Sequence, residues 1–363
     1  MSAISTRTNT LLLVLILAVG IAIVAMLASG ARGGPLDPTG PPSSTLPQVE
    51  PRVPIDHVPF TISTPGSYFL IKSVTGPANT IGNGITIASD DVTLDLNGFS
   101  VTGTGADGHN NYGFGINVSL NPSHNIVIRN GVVRDWNYGV VGDGAHQSRI
   151  EGVRALNNKL DGIRGGPDTT ITDSSAASNG EYGIVSFGGT VRHSEVDGNT
   201  KAGIFVTDNS VVKDNSAHNG LGDGIAVANN ATVEGNSVVA NGGQGIVSSG
   251  DFDAIKDNLV KASATNGIFV LNSSSVEGNT VVGNNTSAGG FSGILVAGTR
   301  NTIAANHAPK NLINDILVTG NLNLVRGNST NHGVTDSGFS NAIGPPVNNA
   351  TIVTNTYPDA NFQ

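Results

Sequence analysis

The sequence predicts an all-β, right-handed parallel β-helix, a solenoid of about eleven three-strand coils preceded by a hydrophobic N-terminal segment, and three observations carry this reading. The first is a Gly-Ile-x-Val run that recurs along the chain: Gly84-Ile85, Gly115-Ile116, Gly139-Val140, Gly162-Ile163, Gly183-Ile184, Gly203-Ile204, Gly224-Ile225, Gly245-Ile246, Gly267-Ile268 and Gly293-Ile294, with a degenerate copy at Asp315-Ile316. A fixed period near twenty marks a unit that cannot bury its apolar face alone and stacks on its own copies. The second is the content of each unit. Ile225-Ala226-Val227, Ala231-Thr232-Val233 and Ser237-Val238-Val239 are β-prone runs separated by Asn229-Asn230 and Glu234-Gly235-Asn236, residues that tolerate left-handed backbone at tight corners. The third is that no sustained 3.6-residue apolar period follows residue 56, so helices do not compete. Coils stacked at roughly 4.8 Å give a rod on the order of 50 Å long.

Taken in chain order, residues 1–31 read as a signal peptide or signal anchor. Arg7 precedes an uncharged stretch from Leu11 to Ala28, and the small residues Ala28-Ser29-Gly30-Ala31 permit cleavage. The basic residue on the amino side directs the remainder across the membrane whether or not the segment is removed, so the protein is expected to be exported, extracellular or periplasmic. Residues 32–55 hold Pro35, Pro38, Pro41, Pro42, Pro47, Pro51 and Pro54 and read as a stiff linker. Residues 56–330 form the β-helix, with an alternating segment from Asp56 to Val74 capping its amino end. Residues 331–363 lack the anchor motif but carry Val334, Phe339, Ile343, Val347, Ile352, Val353, Tyr357 and Phe362, and are expected to cap the rod by folding back along it.

Stacking turns repeated residues into ladders. Asn215, Asn236, Asn258, Asn279, Asn306 and Asn328 recur at one corner, and Asn179, Asn199, Asn219 and Asn241 at another, where amides bond up and down the rod. Arg192, Lys213, Glu234, Lys256, Glu277, Ala304 and Arg326 form a surface row whose sign alternates from Lys213 to Glu277, which reads as structural. Asn-x-Ser/Thr sequons such as Asn117-Val118-Ser119 and Asn284-Asn285-Thr286 follow from corners rich in Asn and Ser. With 49 Gly and no Cys, the rod is held without disulfides, and a net charge of −9 without a Lys/Arg cluster argues against nucleic acid or an anionic membrane surface as partner.

Three passages resemble a bacterial family of secreted right-handed parallel β-helix proteins within the pectate-lyase-like superfamily. They are Ile62-Ser63-Thr64-Pro65-Gly66-Ser67-Tyr68-Phe69-Leu70; Asn83-Gly84-Ile85-Thr86-Ile87 with Val92-Thr93-Leu94-Asp95-Leu96-Asn97-Gly98-Phe99; and Ile128-Arg129-Asn130-Gly131-Val132-Val133-Arg134-Asp135-Trp136. The likeness covers about residues 57–330 and includes the closing Pro358-Asp359-Ala360-Asn361-Phe362. It implies the fold but no fixed reaction. The sequence departs from the enzymes of this superfamily: the Asp-Pro-His-Glu run of alginate epimerases, the Trp-x-Asp-His run of pectate lyases and the Gly-His-Gly and Arg-Ile-Lys pair of polygalacturonases are missing.

Enzymes on this fold bind polysaccharide along one sheet, so the outward x of Gly-Ile-x-Val locates a candidate groove. That row reads Thr86, Asn117, Val141, Arg164, Val185, Phe205, Ala226, Val247, Phe269, Leu295 and Leu317, polar early and apolar late. The polar end also carries the longest insertion, Thr102 to Phe114, with Asp107, His109, Asn111 and Tyr112. His146, Arg164, Asp143 and Asp161 are the catalytic candidates, a set able to abstract a proton beside a sugar carboxylate or to protonate a glycosidic oxygen. The carboxylates could instead hold Ca²⁺. Tyr112, Phe114, Tyr138, Tyr182, Asn117 and His109 are the substrate-binding candidates. Phe114, Tyr138 and Tyr182 each precede the Gly of their repeat, where stacked rings serve as a sugar platform or cover a corner of the core.

Three functions follow from this pattern. The first is a cell-envelope or extracellular scaffold that binds carbohydrate. The second is a polysaccharide lyase or uronate C5-epimerase acting on an acidic polysaccharide. The third is an adhesin or assembly module that self-associates through the apolar outer row.

Overall fold

The computed structural model describes residues 52–77, 82–104, 113–119 and 122–344, with the backbone of 352–353. The hydrophobic segment at 1–31 and the candidates His109 and Tyr112 lie outside the described residues. Among those described, no helix is long and apolar enough to cross a membrane.

Every strand pair is parallel, and each coil contributes three strands, as in Ile225–Val227, Thr232–Glu234 and Ser237–Val239. The Gly-Ile-x-Val strands form one fourteen-stranded sheet running from Phe60–Ile62 to Ile352–Val353. The other two faces share a twenty-four-stranded sheet. Inward residues alternate with outward ones along each strand, so that Ile225, Val227, Val233 and Val238 are buried in a core continuous from end to end of the described rod.

The rod is longer than the eleven predicted coils. Ahead of them, Phe60–Ile62 pairs with Ile85–Ile87, and the end of the Pro-rich segment is itself a strand: Arg52–Ile55 lies beside Gly66–Leu70, with Ile55 opposite Leu70. Behind them, Val334–Asp336 stacks on Asn314–Val318 and Ile343 lies opposite Val325. Residues 331–344 therefore prolong the solenoid instead of folding back along it. Val334 and Ile343 reach the core by joining its registers, whereas Phe339 stays exposed.

The repeat glycine is fixed by close approach. A Cβ on Gly224 would lie 2.3 Å from Val238 Cγ1, 2.7 Å from the Gly245 carbonyl and 2.8 Å from Asn241 Nδ2. Glycine thus lets the next coil and the corner amide sit against the backbone.

Those amides are buried and linked. Asn215, Asn236, Asn258, Asn279 and Asn306 each donate through Nδ2 to Oδ1 of the next Asn at 2.9–3.0 Å, ending on Asn328. Each also donates to a strand carbonyl, such as Val233 for Asn258 at 2.9 Å. This satisfies groups that the corner leaves unpaired. In the second ladder Asn158, Asn179 and Asn199 are joined in the same way, but Asn219 is not a member. It stands at φ 54° on the exposed corner and donates to Asp197, while the Gly220 amide takes the ladder position and donates to Asn241 Oδ1. A third ladder, unread in the sequence, runs from Asp253 through Ser274, Asn301 and Asn323 to Asn341. The sequon residue Asn284 is also buried in a ladder, bonded to Asn311. In the surface charge row Glu234 bridges Lys213 and Lys256 at 3.0 Å each, whereas Glu277 makes no ion pair among the described residues.

Asp253 heads the third ladder as a buried carboxylate, accepting from the Ala231 amide at 2.7 Å and the Ser248 hydroxyl at 2.6 Å. Burial raises its pKa above the ordinary 3.8, opposed by those two hydrogen bonds. The native carboxyl therefore holds its proton more firmly than the unfolded chain does. The associated stability is complete below the ordinary value and is lost as pH rises through the native one. Asp253→Asn keeps both partners without the buried charge. It is expected to melt higher than wild type at pH 7, by a margin that shrinks to nothing as melts are repeated down to about pH 3.

Candidate functional site

The outward row is continuous in register from Thr86 through Asn117, Val141, Arg164, Val185 and Phe205 to Leu317. Its apolar members are half-buried by their own neighbours, and Val185 is only 2% exposed. Stacking at coil distance sets these side chains against one another.

Near the amino end this sheet carries a strip of rings and cations. Phe114 and Tyr138 stand in register on adjacent coils with ring centroids 5.4 Å apart. The Arg164 guanidinium lies 5.7 Å from the Tyr138 ring and 5.2 Å from that of Phe187. Tyr182 packs on Phe205 at 5.2 Å, and Lys201 Nζ lies 5.1 Å from the Tyr182 ring. All five rings are half-buried.

The charges in the strip are paired. Arg164 meets Asp143 as a fork, Nε donating to both carboxylate oxygens at 2.9 and 3.1 Å and Nη2 to Oδ2 at 2.7 Å. Its Nη1 donates to Asp161 Oδ2 at 2.7 Å. Asp161 Oδ1 accepts the Tyr182 amide at 3.1 Å, which ties the two halves of the strip together. The Asp161 side chain is 2% exposed, Arg164 22% and Asp143 41%. Burial disfavours the charge on Arg164, but the hydrogen bonds and attraction of Asp143 and Asp161 outweigh it and raise its pKa, so the guanidinium is permanently charged. Lys201 is paired with Glu181 at 2.8 Å.

Of the four catalytic candidates, the fold brings Asp143, Asp161 and Arg164 together and leaves His146 apart. His146 lies on a short strand, Ala145–His146, beside Ser123–His124 in a separate two-stranded sheet. Its ring packs on His124 at 5.7 Å and makes no hydrogen bond or ion pair with Asp143, Asp161 or Arg164. Asn117 lies in the outward row opposite Val141. Trp136 is buried, donates from Nε1 to the Val101 carbonyl at 3.1 Å and fills the early core against the bare backbone of Gly84. Among the described residues no group of three or more His, Cys, Asp and Glu converges to hold a metal.

Phe187, Glu181 and Lys201 belong to the site but were not singled out from the sequence. Phe187 follows its strand rather than occupying the x position, and Lys201 reaches Tyr182 from the next coil. The legible signal was Phe205, which shares the outward row with Arg164 two coils away.

A model of the right-handed β-helix region matches residues 65–211, 165–259 and 204–286, together more than half of the chain. The class defined by this stack of parallel coils is therefore the right-handed parallel β-helix proteins. The chain belongs to the right-handed β-helix region family. No curated protein sequence matches it. Among solved structures it is similar to the Dettilon tailspike protein, with a TM-score of 0.55 and 15% identity over 79% of this chain and 61% of that one. It is also similar to the A-module of the mannuronan C-5 epimerase AlgE6 of Azotobacter vinelandii (0.42, 15%, 83% and 88%). A third similarity is to the catalytic unit of the GH87 alpha-1,3-glucanase of Streptomyces thermodiastaticus (0.49, 13%, 83% and 61%). At these identities the likeness is one of fold.

Proposed function

We propose that this protein is an exported carbohydrate-binding β-helix that presents a glycan site on the early coils of its Gly-Ile-x-Val sheet. The observation that carries the reading is the half-buried strip of Phe114 and Tyr138 on two adjacent coils and Tyr182, Phe187 and Phe205 on two more, with Arg164 on the coil between the pairs. Rings held at coil spacing offer apolar faces to the C–H faces of successive sugars, while Asp143 and Glu181 at the margin accept from hydroxyl groups. Export is supported by the hydrophobic segment with its amino-side Arg7.

The strip suits binding better than turnover. Arg164 and Asp161 are committed to each other, and an arginine that cannot lose its proton supplies no base. His146, the one imidazole among the catalytic candidates, has no partner in the cluster to orient it.

The test is affinity on a glycan array followed by titration of the best ligand. Tyr138→Ala and Tyr182→Ala are each expected to weaken binding about tenfold, with cooperative melting retained. Rings that only cover the core would instead lower the melting temperature and leave affinity unchanged, and that outcome would sink the reading.

A further inference from the structure

The geometry points to a neutral glycan, not a polyuronate, as the ligand of this strip, an inference that rests on the carbohydrate-binding reading above. The outward row contains one charged residue, Arg164; the positions after it are Val185, Phe205, Ala226, Val247, Phe269, Leu295 and Leu317. A chain of uronates places a carboxylate on every sugar and needs cations repeated along its path. The outward row has no cation after Arg164, the fourth of its Gly-Ile-x-Val positions.

The one cation in the row is already occupied. Asp143 takes the Nε–Nη2 edge of Arg164, the edge that a bidentate sugar carboxylate would use, and Asp161 takes Nη1. The guanidinium is also approached by two rings, those of Tyr138 and Phe187. Lys201, the other cation touching a ring of the strip, is held by Glu181. Arg164 and Lys201 set against Asp143, Asp161 and Glu181 leave two positive and three negative charges, a local balance of −1.

Exposure sharpens the sign. The Asp143 carboxylate is 41% exposed and the Arg164 side chain 22%, so an incoming ligand meets acceptor oxygens before it meets the guanidinium. Hydroxyl hydrogens satisfy those oxygens, whereas a sugar carboxylate is repelled by them and must displace Asp143 to reach Arg164. Discrimination by an unfavourable charge contact is a strong form of specificity.

Isothermal titration calorimetry on the full chain tests this. The neutral probes are cello-, xylo-, manno- and maltohexaose, and the acidic ones are hexamers of galacturonic, mannuronic and guluronic acid, at low and high NaCl. At least one neutral hexaose is expected to bind about tenfold or more tighter than every acidic one, with affinity unmoved by salt and weakened by Tyr138→Ala. Asp143→Asn, which removes the exposed negative charge, is expected to narrow the gap by improving the acidic hexamers. Tighter, salt-sensitive binding of a uronate hexamer by the wild type would overturn the neutral assignment and leave carbohydrate binding standing. Failure of every hexamer to bind, or neutral binding indifferent to Tyr138→Ala, would overturn the site itself.

Discussion

Ile225→Asp is expected to unfold several coils together and to cost more than about 4 kcal/mol. Ile225 is completely buried in the apolar core and lies opposite Ile204 and Ile246 on the coils to either side. Because each coil contacts only its neighbours, a failed coil withdraws the packing of the next, and the loss propagates. Lys213→Ala is the matched control, since its ion pair with Glu234 lies on the solvent face and exposed pairs contribute little. Its melt should stay close to that of the wild type. Thermal unfolding followed by circular dichroism separates the two, and similar shifts would mean that the inward and outward assignment of these strands is wrong.

Arg164→Met is expected to destabilise by about 3 kcal/mol, because it strands the buried Asp161 carboxylate without its counter-ion. Met retains most of the packing volume between Tyr138 and Phe187, so the loss reports charge, not a cavity. The double variant Arg164→Met/Asp161→Asn discriminates. Asn keeps an oxygen for the Tyr182 amide and removes the orphaned charge, so most of the stability should return. If the double variant melts as low as Arg164→Met, the stranded carboxylate is not the cause, and the ion cluster has been misjudged as the element that joins the two halves of the strip.

Much of the rod was legible in residue order. The Gly-Ile-x-Val period located the strands of one sheet, and the alternating row from Lys213 to Glu277 fell in register as read. The main Asn ladder did so as well, from Asn215 to Asn328. Errors came where two neighbouring residues could serve the same corner. Asn219-Gly220 offers both an amide side chain and a glycine, and the residue count alone does not say which one turns inward; the backbone placed Gly220 in the ladder and left Asn219 outside. The third ladder escaped notice because Asp253 and Ser274 stand where later coils have Asn301, Asn323 and Asn341.

Residue order alone carried the solenoid, its coil period and the identity of the outward row, because parallel stacking converts a linear period directly into neighbours in space. It also brought Arg164, Asp143 and Asp161 into one candidate group, since all three lie within one coil spacing of one another. Only the tertiary structure decided what that group is. His146 went to a separate two-stranded sheet, Phe187 and Lys201 arrived from outside the motif, and the two carboxylates closed on the guanidinium instead of standing open to a substrate. The physical reason is that register fixes which Cα atoms are neighbours, whereas the partner a long side chain takes depends on competing charges and ring faces several residues away in every direction.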